Sequence, residues 1–330
     1  MNDAPSSPDP LKPSAPSGRL SRTRIVMLTL LVVAGLSISL VTLFFLVIAP
    51  LFQPAVDPDL GGLKINEDGG NTVAGPRGGI TDALFTEPET PPEHPLDPVL
   101  AVAAEGLKKM QAEVQDYTAL LVKQERVNGK LLEEEFMRTK VRHARPDETP
   151  AVPKSFYLRF EKPGSKIGQE VIWVDGENEG KLIAHPPGLQ NLMTLRLDPD
   201  GWLAMQGNRY PITELGMETL VMRMLEKGAH DRAHDECEVD VQRGIEVDGR
   251  PCTRVTITHP EEREHFEFHQ ARIYIDDELD LPIGYEGYLW PEQPGGEPVL
   301  LERYFYRDLK TNVGLTDLDF DPENPAYKFP

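Results

Sequence analysis

Only two cysteines, Cys237 and Cys252, occur in 330 residues, too few for a disulfide framework though enough for one bridge. Positive charge is also scarce. Lys and Arg number 34 against 54 Asp and Glu, a formal net charge of −20. Tracking nucleic-acid phosphates takes clustered cations, so no nucleic-acid partner is expected, and broad adhesion to anionic lipid headgroups is disfavoured. Catalytic signatures are missing: there is no G-x-S-x-G elbow, no P-loop, no G-x-G-x-x-G and no H-E-x-x-H. The carboxylate runs Glu133-Glu134-Glu135 and Asp276-Asp277-Glu278 read as solvated faces or turns. Neither an enzyme nor a cofactor is expected.

What is present begins with a Pro- and Ser-rich stretch, residues 1–24, whose composition cannot bury enough surface to order itself; a disordered cytoplasmic tail is expected. From Ile25 to Ala49 no residue is charged, about the length needed to cross a ~30 Å hydrocarbon layer as a helix. Arg19, Arg22 and Arg24 precede it and Asp57 and Asp59 follow, which orients the amino terminus to the cytoplasm. A cleaved signal peptide has a shorter apolar core, so an uncleaved cytoplasmic-membrane anchor is the expectation. The C-terminal domain then lies in the periplasm. Residues 50–95 are rich in Gly and Pro and read as a linker, which could also fold back in part onto the domain.

Residues 96–330 read as one domain. Asp97-Pro98 starts a helix with an apolar stripe through Leu100, Ala103, Leu107 and Met110. A second helix is predicted from Ile212 to Lys227, stopped by Gly228. Between and after them come β-type runs separated by hairpin signals, Asn128-Gly129 and Asp248-Gly249 foremost. In the run from Lys154, Phe156, Leu158 and Phe160 share one side, and Tyr157 and Arg159 the other.

The phrase Phe160-Glu161-Lys162-Pro163-Gly164 followed by Trp173-Val174-Asp175-Gly176 resembles the early strands of the LolA-like superfamily, that of the outer-membrane lipoprotein carrier. Leu281-Pro282-Ile283 and the closing Asp308, Asn312, Leu315 and Phe320 resemble its final strand. More specifically, RYPITELG, GRPCT, IYIDDE and NVGLTDLDFDPENP resemble the exported bacterial domain-of-unknown-function family 1571, over about Leu96 to Pro330. The superfamily resemblance implies an α+β fold: a strongly curved antiparallel half-barrel with two or more helices as a lid, here preceded by one transmembrane helix. It also implies an apolar cavity for lipid or lipoprotein acyl chains. A tethered chain cannot shuttle, so a carrier role is not expected; a sensor with an envelope protein partner fits the tether better. The alternative is a structural or interaction module whose core fills itself.

The ligand-cavity candidates are Phe156, Phe160 and Trp173 on the sheet and Met217, Val221 and Met224 on the second helix, where adaptable thioethers suit varied apolar ligands. Ordinary core packing is the competing reading for each. His265, Glu267 and His269 at period two read as a solvated strand face rather than a zinc site, and His230 and His234 lack the H-E-x-x-H glutamate. No metal is expected. Export to an oxidising compartment allows a Cys237–Cys252 bridge, whereas a hairpin turning at Asp248-Gly249 sets Cys252 near Ile245 instead. Both states stay open at the sequence level.

Overall fold

Runs of alternating β-branched, aromatic and polar residues closed by glycine-bearing turns produce a sheet in the computed structural model. It describes residues 60–67, 78–87, 91–187, 192–234 and 236–330. The expected anchor, Ile25–Ala49, and the 1–24 tail lie outside the described residues. Among the described residues no helix is long and apolar enough to cross a membrane.

In chain order the elements are β1 (Ile65–Asn66), α1 (Asp97–Glu113), β2 (Asp116–Val127), β3 (Lys130–Leu131), β4 (Glu135–Arg142), β5 (Ser155–Lys162), β6 (Glu170–Val174), β7 (Leu182–His185) and β8 (Leu195–Leu197). Then come α2 (Met217–Asp231), β9 (Glu238–Val247), β10 (Arg250–Thr258), β11 (Gln270–Asp276), β12 (Leu281–Leu289) and β13 (Val299–Thr311). Among the described residues all thirteen strands join one curved sheet in the order β1-β9-β10-β11-β12-β13-β2-β4-β5-β6-β7-β8, with β3 paired to β2. Every neighbouring pair is antiparallel. Two meanders therefore meet at a seam where β13 lies beside β2, so the end of the chain closes onto the beginning of the domain.

The curl of the sheet shows in its core. Ile245, Val247 and Cys252 from one wing share a single apolar cluster with Phe156, Trp173 and Leu182 from the other. Lys162 on β5 also donates to Leu60 O, just before β1, although eight strand steps separate β5 from β1 in the sheet order. Both hairpin signals act as expected: Asn128-Gly129 and Asp248-Gly249 each have positive φ at both positions, as a type I′ turn requires.

The stretch read as linker folds back in part onto the domain: Leu60 is buried, Ile65 pairs with Val247, and a 3-10 turn, Ile80–Phe85, packs on α1. Two expectations about the second helix change. The second helix starts at Met217, because Gly216 has a φ of 107° that breaks the preceding 3-10 turn from it. Gly228 does not end α2. It lies inside the helix, where a Cβ would come within 2.6 Å of Leu100 Cδ2, so its smallness permits close α1–α2 packing.

The cysteines are not bridged. Glu238 pairs with Thr258 at the open end of the β9–β10 hairpin, and Cys252 pairs with Ile245 near its turn. Six residues of extended strand separate those ends by roughly 20 Å, far beyond disulfide reach. Cys237 lies 3.9 Å from His94 Nε2 instead. The strand expected to carry His265, Glu267 and His269 begins only at Gln270, so none of the three occupies a strand face. Phe266 turns inward and stacks on His259 at 3.8 Å between ring centroids.

Candidate functional site

Two meanders curling round one side, with α2 and the preceding irregular segment laid across, leave a hollow of about 330 Å³. One wall comes from the sheet, where Met137, Leu158, Phe160, Val171, Leu182 and Ala184 line it. Leu158 and Phe160 share a face of β5 because strand side chains alternate, and Val171 lies directly across from Leu158. The covering wall is Leu203, Leu215, Leu220 and Met224. Leu220 and Met224 are one helical turn apart on α2 and so present the same face.

The other end of the hollow is charged. Across the β2–β13 seam Glu125 faces Glu302, and Lys123 faces Tyr304. Directly opposed carboxylates repel, so the arrangement needs bridging cations. Lys123 Nζ supplies one, lying 3.3 Å from Glu125, 3.1 Å from Glu135 and 2.6 Å from Asn208 Oδ1. Burial works against its charge, but Glu135 and Glu125 outweigh that and hold its pKa above the usual lysine value. Arg209 supplies the second: its backbone N–H donates to Glu125 at 3.0 Å and its Nε to Glu302 at 2.8 Å. Burial, opposed by Arg209, raises the Glu302 pKa. Tyr304 donates to Glu125 at 2.5 Å, and burial drives its hydroxyl well above the ordinary phenol range, so it stays a donor. Burial likewise pushes Tyr210 up to about 12.

Asn208, Arg209 and Tyr210 belong to the covering segment. The polar cluster thus also ties that cover to the sheet. The result is an amphipathic chamber: mainly apolar along β4–β7 and α2, though Lys166, Arg223 and Lys227 also line it, and hydrogen-bonding at the seam. It can enclose a chain with a polar end. Among the described residues no group of three His, Cys, Asp or Glu is arranged to hold a metal ion.

The six candidates divide. Phe160 and Met224 line the hollow. Val221 and Met224 line a second, smaller hollow of about 70 Å³ between α1, α2 and the β10–β12 wing. Phe156, Trp173 and Met217 line neither. Phe156 and Trp173 stack on each other with centroids 5.7 Å apart, and Met217 is fully buried with its N–H donating to the Tyr117 hydroxyl. They are core.

Sequence reasoning missed Lys123, Glu125, Glu302, Asn208 and Arg209. A signal existed on β2, where Lys123 and Glu125 alternate in phase with Ala119 and Leu121 and so point to the same side as buried residues. The runs read as solvated also hide partners: Glu135 is buried on Lys123, and Asp276 is buried against Arg250.

The fold and this chamber define a class: a curved antiparallel sheet half-wrapped around an apolar hollow and covered by helix. Within that class the chain belongs to the family described as "Protein of unknown function (DUF1571)", matched over residues 114–329. No curated protein matches it. Among solved structures it is similar to a DUF1329 family protein from Desulfovibrio piger, at 15% identity, TM-score 0.31, covering 69% of this chain and 98% of that one. It is also similar to the Mycobacterium tuberculosis lipoprotein LppX, at 13% identity, TM-score 0.35, covering 68% and 100%. A LolA superfamily protein from Nitrosomonas europaea matches at 10% identity, TM-score 0.26, covering 67% and 97%.

Proposed function

We propose that this chain is a membrane-anchored, periplasmic binding protein that holds an acyl-bearing amphiphile, a lipid or the lipid moiety of a lipoprotein, in the chamber under α2. One observation carries the reading: about 330 Å³ remains between sheet and cover that the chain's own side chains do not fill, apolar on two walls. Each methylene buried there contributes about 0.8 kcal/mol, so a single long chain supplies ample driving force without covalent chemistry. The polar seam gives the head group hydrogen-bond partners. Binding, not turnover, is the role, and the tether makes occupancy a local signal, as an envelope sensor requires.

Trp202, 78% exposed, lies on the covering segment. An apolar side chain displayed there favours a protein partner that reads the state of the cover. The test is lipid extraction and mass spectrometry of the full chain purified from its membrane. Co-purifying amphiphile is expected, and its loss in Ala184→Trp, which fills the hollow from β7, supports the chamber. A chain that carries no amphiphile, and takes up none when offered, rejects the reading.

A further inference from the structure

The small hollow beside the chamber has no role in the reading above. Its walls are almost wholly apolar: Leu100 from α1, Val221 from α2, and Val255, Ile257, Ile273 and Ile275 from the sheet. Helix α2 lies between the two spaces. Leu220 faces the large one, Val221 the small one, and Met224, one turn on, lines both. The neighbouring apolar cluster crosses the same divide. Tyr285 lines the large hollow, yet packs in one cluster with Val255 and Ile273, and Leu220 and Met224 pack against that cluster. Among the described residues Met224 is the one that lines both hollows, and its unbranched thioether, with three rotatable bonds, is among the easiest side chains to swing aside.

We propose that the two hollows are one binding site for a single saturated acyl chain, with the small hollow taking the far end of the tail and Met224 setting the chain length admitted. This rests on the amphiphile reading above. The head lies at the Glu125–Glu302 seam, the first part of the chain runs along Leu158 and Val171, and longer tails pass Met224 toward Val255 and Ile273. Each methylene that passes tightens binding about fourfold, the equivalent of ~0.8 kcal/mol. A chain too short to reach Met224 gains nothing from the second space.

The experiment uses the full chain in membranes and saturated monoacylglycerols of increasing chain length, each with a diazirine at the tail end. After photolysis, labelled peptides are read by mass spectrometry. With lengthening chains the label is expected to move from β5–β7 peptides to those containing Val255 and Ile273. Met224→Trp should hold the label on β5–β7 at every length. Met224→Ala should let the label cross at a shorter length. Met222→Ala, on the exposed face of the same helix, should behave as the wild type. If the tryptophan variant does not fold, the wild-type migration and the alanine shift decide. Label fixed on β5–β7 at all lengths in the wild type overturns the joined site and leaves the chamber intact. No label in either hollow overturns both.

Discussion

Glu125 and Glu302 are held face to face by Arg209, whose side chain is mostly buried, while the Glu302 side chain is 8% exposed. Replacing Arg209 with alanine leaves Glu302 buried without its cation, a loss of about 1–2 kcal/mol. Hydrogen exchange should rise first in residues 198–216, because that arginine joins the cover to the sheet. Exchange unchanged there would show that the cover is held by apolar contacts alone. Histidine chemistry sets a second expectation. Burial lowers the pKa of His143, which packs edge-on to Tyr117, and burial likewise lowers that of His259. Between each depressed value and the ordinary ~6.5 the unfolded chain binds more protons than the folded one, so stability falls as pH falls through that interval. Thermal midpoints should drop on acidification below about pH 6.5. His143→Phe should flatten that slope, and an unaltered slope would remove His143 from the account.

At the scale of elements, the closing motif explains itself as structure. Asp308 has a φ of 52° at the bulge between Arg307 and Lys310, and Asn312 a φ of 54° just beyond β13. Asn312 then accepts from Gln115 N–H and donates to Glu113 O. Asp116, buried at the start of β2, accepts from the N–H groups of Val313, Gly314 and Leu315 at 2.7, 3.2 and 2.9 Å. The turn this makes delivers Phe320 and Tyr327 onto the outer face of β5 and β6, where Tyr327 stacks on Tyr157 at 4.1 Å. Asp116→Ala should cost about 1–3 kcal/mol and free the terminal segment, seen as a lower denaturation midpoint and faster exchange in residues 313–330. A midpoint unchanged in that variant would mean the aromatic contacts alone hold the segment.

At the scale of the molecule, the seam between β13 and β2 ties the two meanders together, and the segment Leu60–Asn66 adds an edge strand at β9. Lys162 on β5 donates to Leu60 O, and Arg307 on β13 donates to Gly61 O. These two contacts fasten the segment to strands on both sides of the seam. Cell fractionation should place the full chain in the membrane, resistant to carbonate and salt extraction. A chain lacking residues 1–49 should move to the soluble fraction. Extraction of the full chain by salt alone would refute the anchor.

Local patterns determined the strands. Period-two alternation and the turns at Asn128-Gly129 and Asp248-Gly249 act within a few residues, so they are legible without knowing what lies beyond. Phe160 and Met224 were readable as lining candidates for the same reason: side chains bound for a hollow and those bound for a core carry the same apolar pattern. That identity is also why Phe156, Trp173 and Met217 could not be told apart from them. Which apolar residues meet space and which meet one another depends on how far the sheet curls. The seam decided the rest. It joins Tyr304 to Glu125 across 179 positions and sets Glu302 opposite Glu125 at the chamber.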